Sequence, residues 1–384
     1  MRVLPALYMD IHLKQLLSRL TVLKNKKSAR RKKPLLTPTL PPPPSPQKVH
    51  KLVRSHHNPI ISPRPEYGWE AWQTFNPGVI LLNGKTHFVY RAIGEDGLSR
   101  FGYAVSDDGF RISDRIPYAI YEHRLLESSV LNFYSFASGG SFGGCEDPRL
   151  VQVAGDENIY MTYTACDRGL SMAITSIKEE DFLNRRWRWK SPMIMSKPGE
   201  AHKNWVIFPE KINGKYAVLH SISPDIAIAY RDNLEFTDGE YIESHYDGYT
   251  RTKVRWDGWI RGAGAPPVKT DVGWLLFYHA MDLNDPGKYK VGVLLLDLND
   301  PTKVISRAQE AVLEPEVDYE NNGFKAGVVY VTGAVVRDNM IYVYYGASDS
   351  YTSVAYAKLN DFLGNLRHDQ QPVLVTKVVE RQTI

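Results

Sequence analysis

The sequence predicts an all-β protein, a five-bladed β-propeller with an N-terminal extension that is helical, basic and proline-rich. One pattern of strands and turns recurs five times beyond about residue 60, and helical periodicity is nearly absent there. Residues 1–50 differ sharply, because they hold eleven Lys and Arg against the single acid Asp10. We therefore divide the chain into an extension, residues 1–54, and a propeller domain, residues 55–384.

The extension combines a predicted helix, a basic run and a proline-rich stretch. Leucines at helical spacing between Leu13 and Leu23, with basic residues among them, predict an amphipathic helix. Residues 26–33 are the basic run, and residues 34–46 favour extended polyproline II structure, which packs no core. The helix is a candidate homo-oligomer contact between copies of the chain, with an anionic surface as the alternative partner. An Arg-rich, acid-poor start also fits a transit peptide.

Charge and cysteine content limit the partners and the compartment. The net charge is +4 for the chain and +10 for residues 1–50, so the remainder carries −6. This mildly acidic body argues against nucleic acid as its main partner. Cys145 and Cys166 are the two cysteines and show no zinc spacing, so we expect neither a disulfide framework nor a metal site. With no long apolar run and no recognisable secretory signal, we expect no transmembrane segment and a cytoplasmic location.

The repeated unit is clearest in its second strand. The five copies are residues 87–92, 160–165, 216–221, 274–280 and 341–347. Four third strands are equally alike, at residues 101–106, 170–175, 226–230 and 352–357. Four first strands are expected to begin just after a proline, at Pro77, Pro148, Pro209 and Pro266–Pro267. Units recurring about every 55 to 70 residues predict a closed propeller with a central funnel. A two-sheet sandwich is the competing fold.

In a propeller the first strands surround one axis, so polar residues at the starts of first strands and the ends of second strands meet there. The residues of this kind are Asn76, Arg91, Glu146, Asp147, Arg149, His220, His279 and Asp349, with Lys203 just before the third first strand. The axis is therefore where we expect the chemistry.

Two neighbouring carboxylates, Glu146 and Asp147, stand out in this set. Neighbours on an extended strand point to opposite faces, so we expect one of them to face the axis, and we choose Asp147. The alternative is a turn-capping aspartate paired with Arg149. Cations such as Arg91 and Lys203 around a single carboxylate are what an anionic co-substrate would need.

These residues resemble motifs of glycoside hydrolase family 130, which contains β-mannoside phosphorylases and β-mannosidases. The matching motifs, in family order, are Phe75-Asn-Pro77, Tyr90-Arg-Ala92, Gly144 to Arg149, Lys203-Asn204 with Phe208-Pro-Glu-Lys211, Gly264-Ala-Pro-Pro267 with Tyr278-His279, and Tyr344 to Asp349. They run across about residues 60–365, and residues 1–54 have no counterpart. The family fold is a five-bladed propeller, which agrees with the count of repeats.

The resemblance implies a role for each matched residue. Asp147 corresponds to the general acid, which in some members is thought to act through the 3-hydroxyl of the mannosyl unit. The implied substrate-binding residues are Asn76, Arg91, Glu146 and Asp349, with Glu146 as a support for Asp147. The implied phosphate-binding residues are Lys203, His279, Arg149 and Arg168, although the sequence around Arg168 does not match the family motif cleanly.

Phosphorolysis and hydrolysis place different demands on such a site. Inverting hydrolysis needs a second carboxylate as base, about 6.5–9.5 Å from the acid. Phosphate instead needs cations, supplied by Lys and Arg, or by His when protonated. Because Lys203 and His279 are present and hydrolases of the family tend to lose such ligands, the resemblance favours phosphorolysis.

The predicted function is an inverting glycoside phosphorylase that cleaves a β-mannoside oligosaccharide with inorganic phosphate, giving α-mannose 1-phosphate. Phosphate is the co-substrate, and no metal or organic cofactor is expected. One alternative is an inverting β-mannosidase with Glu200, Glu210 or Glu243 as base, and another is a non-catalytic sugar-binding propeller. The matched motifs leave both β-1,2 and β-1,4 linkages open.

Overall fold

The chain forms five antiparallel sheets arranged as the blades of a propeller. The computed structural model describes residues 51–123, 132–167, 169–244 and 255–368. The sheets succeed one another along the chain, so the predicted five-bladed, all-β architecture is confirmed. Residues 1–50, with the predicted helix, basic run and proline-rich stretch, lie outside the described residues. No helix in the described ranges is long and apolar enough to cross a membrane.

The described residues contain twenty strands, which form the blades. Each second strand lies where the sequence predicts it. The first short strand is β1 (Val53–Arg54). Blade 1 contains β2 (Gln73–Leu82), β3 (Lys85–Ile93), β4 (Ser99–Ser106) and β5 (Asp114–Arg115). Blade 2 contains β6 (Cys145–Gln152), β7 (Asn158–Ala165), β8 (Ser171–Lys178) and β9 (Met193–Ile194), and blade 3 contains β10 (Val206–Ile207), β11 (Tyr216–Ser221) and β12 (Ala227–Arg231). Blade 4 contains β13 (Trp259–Ala263), β14 (Val268–Thr270), β15 (Gly273–Met281), β16 (Tyr289–Leu296) and β17 (Val304–Arg307), and blade 5 contains β18 (Val329–Arg337), β19 (Met340–Ala347) and β20 (Tyr351–Lys358).

Short helices occupy the connections between strands and extend past the last blade. They are a 3-10 turn at Gly68–Glu70 and the α-helices α1 (Phe133–Gly139), α2 (Glu179–Leu183), α3 (Asp318–Asn321) and α4 (Leu359–His368). Helix α1 lies in the connection between blades 1 and 2, and it ends beside the buried side chain of Arg91.

Apolar packing between the faces of adjacent blades forms the core. Five separate clusters of buried apolar side chains occur, one for each pair of adjacent blades. The rings of Phe88 and Tyr344 meet edge to face with centroids 4.9 Å apart, which joins blade 1 to blade 5. Strands buried on both faces explain why second strands such as β3 read as continuous apolar runs without alternation.

The first strands contain bulges close to the axis, and this corrects the strand starts predicted from proline. The register shifts in β2 around Asn76 and in β6 around Asp147, where the backbone φ angles are +47° and +53°. Pro77 and Pro148 therefore lie inside their strands at the bulge, where no ladder hydrogen bond is required. Pro209 lies after β10, and Pro266–Pro267 lie between β13 and β14.

An N-terminal strand closes the ring. The strand β1 pairs with β20, so the outermost strand of the C-terminal blade comes from the start of the described chain. Arg54 donates from Nε to Glu320 Oε1 at 2.8 Å and from Nη2 to Oε2 at 2.9 Å. Glu320 is fully buried and also accepts the Tyr345 hydroxyl at 2.8 Å. Residues 51–54, assigned to the extension from sequence, thus pair with the propeller.

We predict that Arg54→Ala destabilises the propeller, because it leaves the buried Glu320 carboxylate without its counterion. The expected loss in free energy of unfolding is about 3 kcal/mol, measured by denaturant titration. The matched control is Lys51→Ala, whose ion pairs with Glu314 and Glu316 are partly exposed and whose loss should cost at most about 1 kcal/mol. Equal losses in the two variants would show that the ring does not depend on this contact.

Candidate active site

A cavity of about 330 Å³ lies at the axis, and residues from all five blades line it. Its polar lining includes five residues predicted from the sequence to bind substrate or phosphate or to act as the acid, together with His220. Those five are Asn76, Arg91, Asp147, Asp349 and Lys203, the last from the segment before β10. The repeat therefore brings together residues that lie up to 273 positions apart in the chain.

Arg91, near the end of β3, binds both neighbouring carboxylates. Its Nη2 lies 3.0 Å from Glu146 Oε1, and its Nη1 lies 3.2 Å from Asp147 Oδ1. The guanidinium is buried, and its Nε donates to Ser99 Oγ at 2.9 Å. Helix α1 ends directly against it at Gly139, where a Cβ would overlap the guanidinium. Glycine at this position therefore permits the close approach of the helix.

Lys203, which lies after both carboxylates in the chain, is their second cation. Its Nζ donates to Glu146 Oε2 at 2.7 Å and to Ser138 Oγ, and lies 3.9 Å from Asp147 Oδ2. Glu146 is fully buried and also accepts Ser135 Oγ at 2.9 Å. Glu146 is therefore a support that fixes Lys203 and Arg91, while Asp147 lines the cavity.

Asp147, the carboxylate chosen from the sequence to face the axis, lines the cavity and Glu146 does not, yet both contact Arg91 and Lys203. Alternation holds only for regular extended backbone, and the bulge at Asp147 interrupts it. Aspartate tolerates a positive φ better than most residues. The bulge therefore gives Arg91 and Lys203 access to Glu146 and Asp147 together.

The charges around Asp147 decide its protonation. Burial acts to raise the pKa of Asp147, but Lys203 and Arg91 outweigh it and hold this pKa well below the ordinary value. The pKa of Glu146 is lowered in the same way, with burial again opposed by Arg91 and Lys203. Burial acts to lower the pKa of Lys203, yet the two carboxylates raise it. Without ligands, this group therefore consists of two anions and two cations.

Arg149 supports the backbone of Asp147 and does not line the cavity. Its Nη1 donates to the Asp147 carbonyl at 2.6 Å, its Nη2 to Asn204 Oδ1 at 2.7 Å, and its Nε to the Gly264 carbonyl at 2.9 Å. The alternative of an Asp147 carboxylate paired with Arg149 is therefore not what the geometry shows. Because Arg149 is not among the lining residues, its predicted contact with phosphate stays a prediction. Asn76, in contrast, donates from Nδ2 directly to Asp147 Oδ1 at 2.8 Å.

His279 lies behind the cavity wall and carries no charge. Its Nε2 donates to the Val331 carbonyl at 2.7 Å, and Tyr330 stacks on its ring at 3.7 Å between centroids. Burial, reinforced by the charge of Arg149, lowers the pKa of His279 to about 3. His279 is therefore not a cation of this site, and its predicted contact with phosphate stays a prediction. Tyr330 is the residue of this stack that lines the cavity.

Sequence reasoning did not single out one wall of the cavity. The residues of this wall are Arg261, Tyr289, Lys325 and Tyr330. The Arg261 guanidinium lies 4.3 Å from the Trp259 ring centroid, and Lys325 Nζ lies 5.0 Å from that of Tyr289. First strands are predicted from prolines, and β18 contains no proline. The sequence analysis therefore did not identify Tyr330 as a candidate. Arg168, the remaining predicted phosphate ligand, lies outside the described residues.

Asp349 also lines the cavity, and its pKa is shifted in the opposite direction to that of Asp147. Burial raises the pKa of Asp349 to about 6, although Lys325 and Arg91 partly offset this effect. Its backbone has φ +48° and its carbonyl accepts Gln73 Nε2 at 2.6 Å. Within the described ranges, Asp147 and Asp349 are the only carboxylate residues that line the cavity.

A five-bladed propeller with buried carboxyl groups in a cavity at its axis is typical of a carbohydrate-active enzyme, because glycoside cleavage uses carboxyl groups. Residues 51–368 match the model of glycoside hydrolase family 130, described as beta-1,4-mannooligosaccharide phosphorylase. The chain therefore belongs to glycoside hydrolase family 130, as the sequence motifs predict.

Individual relatives agree with this assignment. The chain is 37% identical to a 1,2-beta-oligomannan phosphorylase of Thermoanaerobacter sp. (strain X514), over 81% of this chain and 98% of that protein. It is 36% identical to a beta-1,2-mannobiose phosphorylase of the same organism, over 80% and 97% of the two chains. The solved structure of the beta-1,2-mannobiose phosphorylase from Listeria innocua, in complex with beta-1,2-mannobiose, superimposes with a TM-score of 0.63 at 26% identity. That match covers 83% of this chain and 99% of the other.

We predict that Asp349→Asn stabilises the fold near pH 7.5, because it removes a carboxylate that must be ionised while buried. The folded pKa of about 6 exceeds the ordinary value, so folded wild-type protein binds more protons than unfolded protein between about pH 4 and 6. The gain in free energy of unfolding should be roughly 1–3 kcal/mol at pH 7.5 and should vanish as the pH falls through this window.

Thermal unfolding of wild type and variant from pH 4 to 8 measures this effect. The matched comparison is Asp147→Asn, which should lower stability, because it removes a partner of Arg91 and Lys203. An Asp349→Asn variant less stable than wild type at pH 7.5 would contradict the raised pKa of Asp349.

Proposed function

We propose that this protein is an inverting phosphorylase that cleaves β-1,2-linked mannosides with inorganic phosphate and releases α-mannose 1-phosphate. The observation that carries the proposal is the lining of the cavity, where the cations Arg91, Lys203 and Lys325 are available to an anionic co-substrate near Asp147. Glu200, Glu210 and Glu243, the candidate bases, do not line the cavity in the described part of the chain. Membership of the family and the similar phosphorylases support the same reaction.

The proposed reaction balances without a metal or an organic cofactor. The bond from the anomeric carbon to the glycosidic oxygen breaks, and a phosphate oxygen bonds to that carbon from the opposite face. Asp147 gives its proton to the departing oxygen. Phosphate that arrives as the monoanion supplies this proton, because dihydrogen phosphate can transfer one proton to the ionised Asp147 and then attack as the dianion.

Phosphate binding itself favours this proton transfer. The positive charges of Lys203 and Arg91 hold the pKa of Asp147 low in the free protein. An anion beside Lys203 offsets part of that charge, so the pKa of Asp147 rises when phosphate arrives. In this proposal Lys203 binds phosphate, and Asn76, Arg91 and Asp349 bind hydroxyls of the mannosyl unit.

The choice of linkage rests on relatives that match most of the chain. The two Thermoanaerobacter proteins, at 37% and 36% identity, are named for β-1,2-linked substrates. The beta-1,4-mannooligosaccharide phosphorylase of Ruminococcus albus matches 42% of this chain at 32% identity. We therefore propose β-1,2-mannosides as substrates and make β-1,4-mannosides an arm of the test. A cytoplasmic location and oligomerisation through the N-terminal helix stay predictions.

We predict that Asp147→Asn lowers kcat for mannoside cleavage by about 10³-fold, because the amide cannot donate the proton that the leaving oxygen needs. Asparagine tolerates the positive φ at this position, so the fold should survive, and circular dichroism checks that it does. Unchanged turnover in a folded Asp147→Asn protein would contradict the proposed acid.

We predict that turnover requires phosphate and that Lys203→Ala raises the KM for phosphate about tenfold or more, because a charge-assisted contact is lost. The assay incubates β-1,2- and β-1,4-mannobiose with and without phosphate and separates mannose 1-phosphate from free mannose. Lys211→Ala, an exposed lysine outside the cavity lining, is the control and should leave this KM unchanged. Full activity without phosphate, giving free mannose, would instead identify a β-mannosidase.

A further inference from the structure

Three exposed aromatic side chains belong to segments that adjoin the lining of the cavity. The exposed fractions are 53% for Trp72, 43% for Phe136 and 52% for Phe324. The rings of Phe136 and Phe324 meet edge to face with centroids 6.2 Å apart, although one belongs to helix α1 and the other lies after helix α3. We call these three side chains the aromatic rim.

Each member of the aromatic rim is tied to the cavity lining. Phe136 directly precedes Ala137, and Phe324 directly precedes Lys325, both of which line the cavity. Ser350 connects the remaining member, since its Oγ accepts the Phe324 amide at 2.8 Å and its carbonyl accepts the Thr74 amide at 3.0 Å. Trp72 lies two residues before Thr74. Phe136 and Phe324 therefore adjoin the candidate active site directly, and Trp72 belongs to a segment hydrogen-bonded to theirs.

Exposed aromatic rings beside a polar cavity need a physical reason. Contiguous exposed apolar surface on a soluble protein marks a binding site more often than chance. Sugar rings have apolar C–H faces that match the flat, electron-rich face of an aromatic ring. Once the mannosyl unit to be released lies beside Arg91 and Asp349, the rest of the substrate extends toward the mouth, where Phe136 and Phe324 adjoin the lining.

We propose that the aromatic rim is a platform on which mannosyl units beyond the first acceptor unit stack, so that the enzyme prefers longer β-mannosides to the disaccharide. This rests on the proposed function, because the same cavity must hold the released mannosyl unit. The occupant is a sugar chain and not a second copy of the protein, because Phe136 and Phe324 each directly precede a residue that lines the cavity.

If the aromatic rim had a purely structural role, its loss would affect activity differently. The Phe136 ring also stacks on Phe142 at 5.1 Å, and helix α1 ends against Arg91. If the rim only braced this helix, its loss would disturb Arg91 and lower activity on every substrate equally. Comparing substrates of different length therefore separates binding from bracing.

The test compares kcat/KM for mannobiose and mannotetraose of the linkage that wild type cleaves, at saturating phosphate. Phe324→Ala should lower the ratio of mannotetraose to mannobiose by about five- to tenfold and leave the mannobiose value nearly unchanged. Phe324→Tyr keeps the ring and should keep the wild-type ratio. Tyr230→Ala removes a ring that is 40% exposed on β12, outside the cavity lining, and should also leave the ratio unchanged.

An unchanged ratio in Phe324→Ala, or equal losses on both substrates, would overturn the platform. So would a change in molecular mass of Phe324→Ala by light scattering, because the rim would then be an interface between copies. Wild-type protein that cleaves neither substrate would contradict the proposed function instead. Calorimetric binding of mannotetraose then tests the platform alone, with weaker binding by Phe324→Ala supporting it and equal binding overturning it.

Discussion

The charge balance around Glu146 and Asp147 is the constraint on which the rest of the structure depends. Burying an unpaired carboxylate costs several kcal/mol, and here two neighbouring carboxylates are buried. Their cations come from other parts of the ring, Arg91 from blade 1 and Lys203 from the segment before blade 3. This charge group is therefore complete only when blades 1 and 2 and the segment before blade 3 are assembled around it.

The same balance shifts the pKa values of the two aspartates of the cavity in opposite directions. Cations hold the pKa of Asp147 low, whereas burial raises that of Asp349 to about 6. An acid that is ionised at rest needs a proton delivered with the substrate, and phosphate can deliver it. In this account Lys203 binds the phosphate nucleophile. Lys203 and Arg91 together also determine when Asp147 can donate its proton.

The fold and most of the site could be predicted because both depend on repetition. Five similar second strands indicate five blades, and the ends of those strands place Arg91 and Asp349 at the axis. What the sequence does not show depends on local backbone and burial. The bulge at Asp147 ends the alternation on which the separation from Glu146 was argued, and nothing in the sequence shows that His279 lies beneath Tyr330. The sequence identifies His279 as a polar candidate residue, but it does not show how deeply this side chain is buried.

The central claim is that Asp147 is ionised in the free protein because Arg91 and Lys203 surround it. Carbon-13 NMR of protein labelled at the aspartate carboxyls measures this directly, with Asp147→Asn identifying the resonance. We expect the Asp147 signal to stay that of a carboxylate to the lowest pH at which the protein remains folded, and its pKa to rise on adding phosphate. A midpoint at or above the ordinary aspartate value of about 4 in the free protein would contradict the claim.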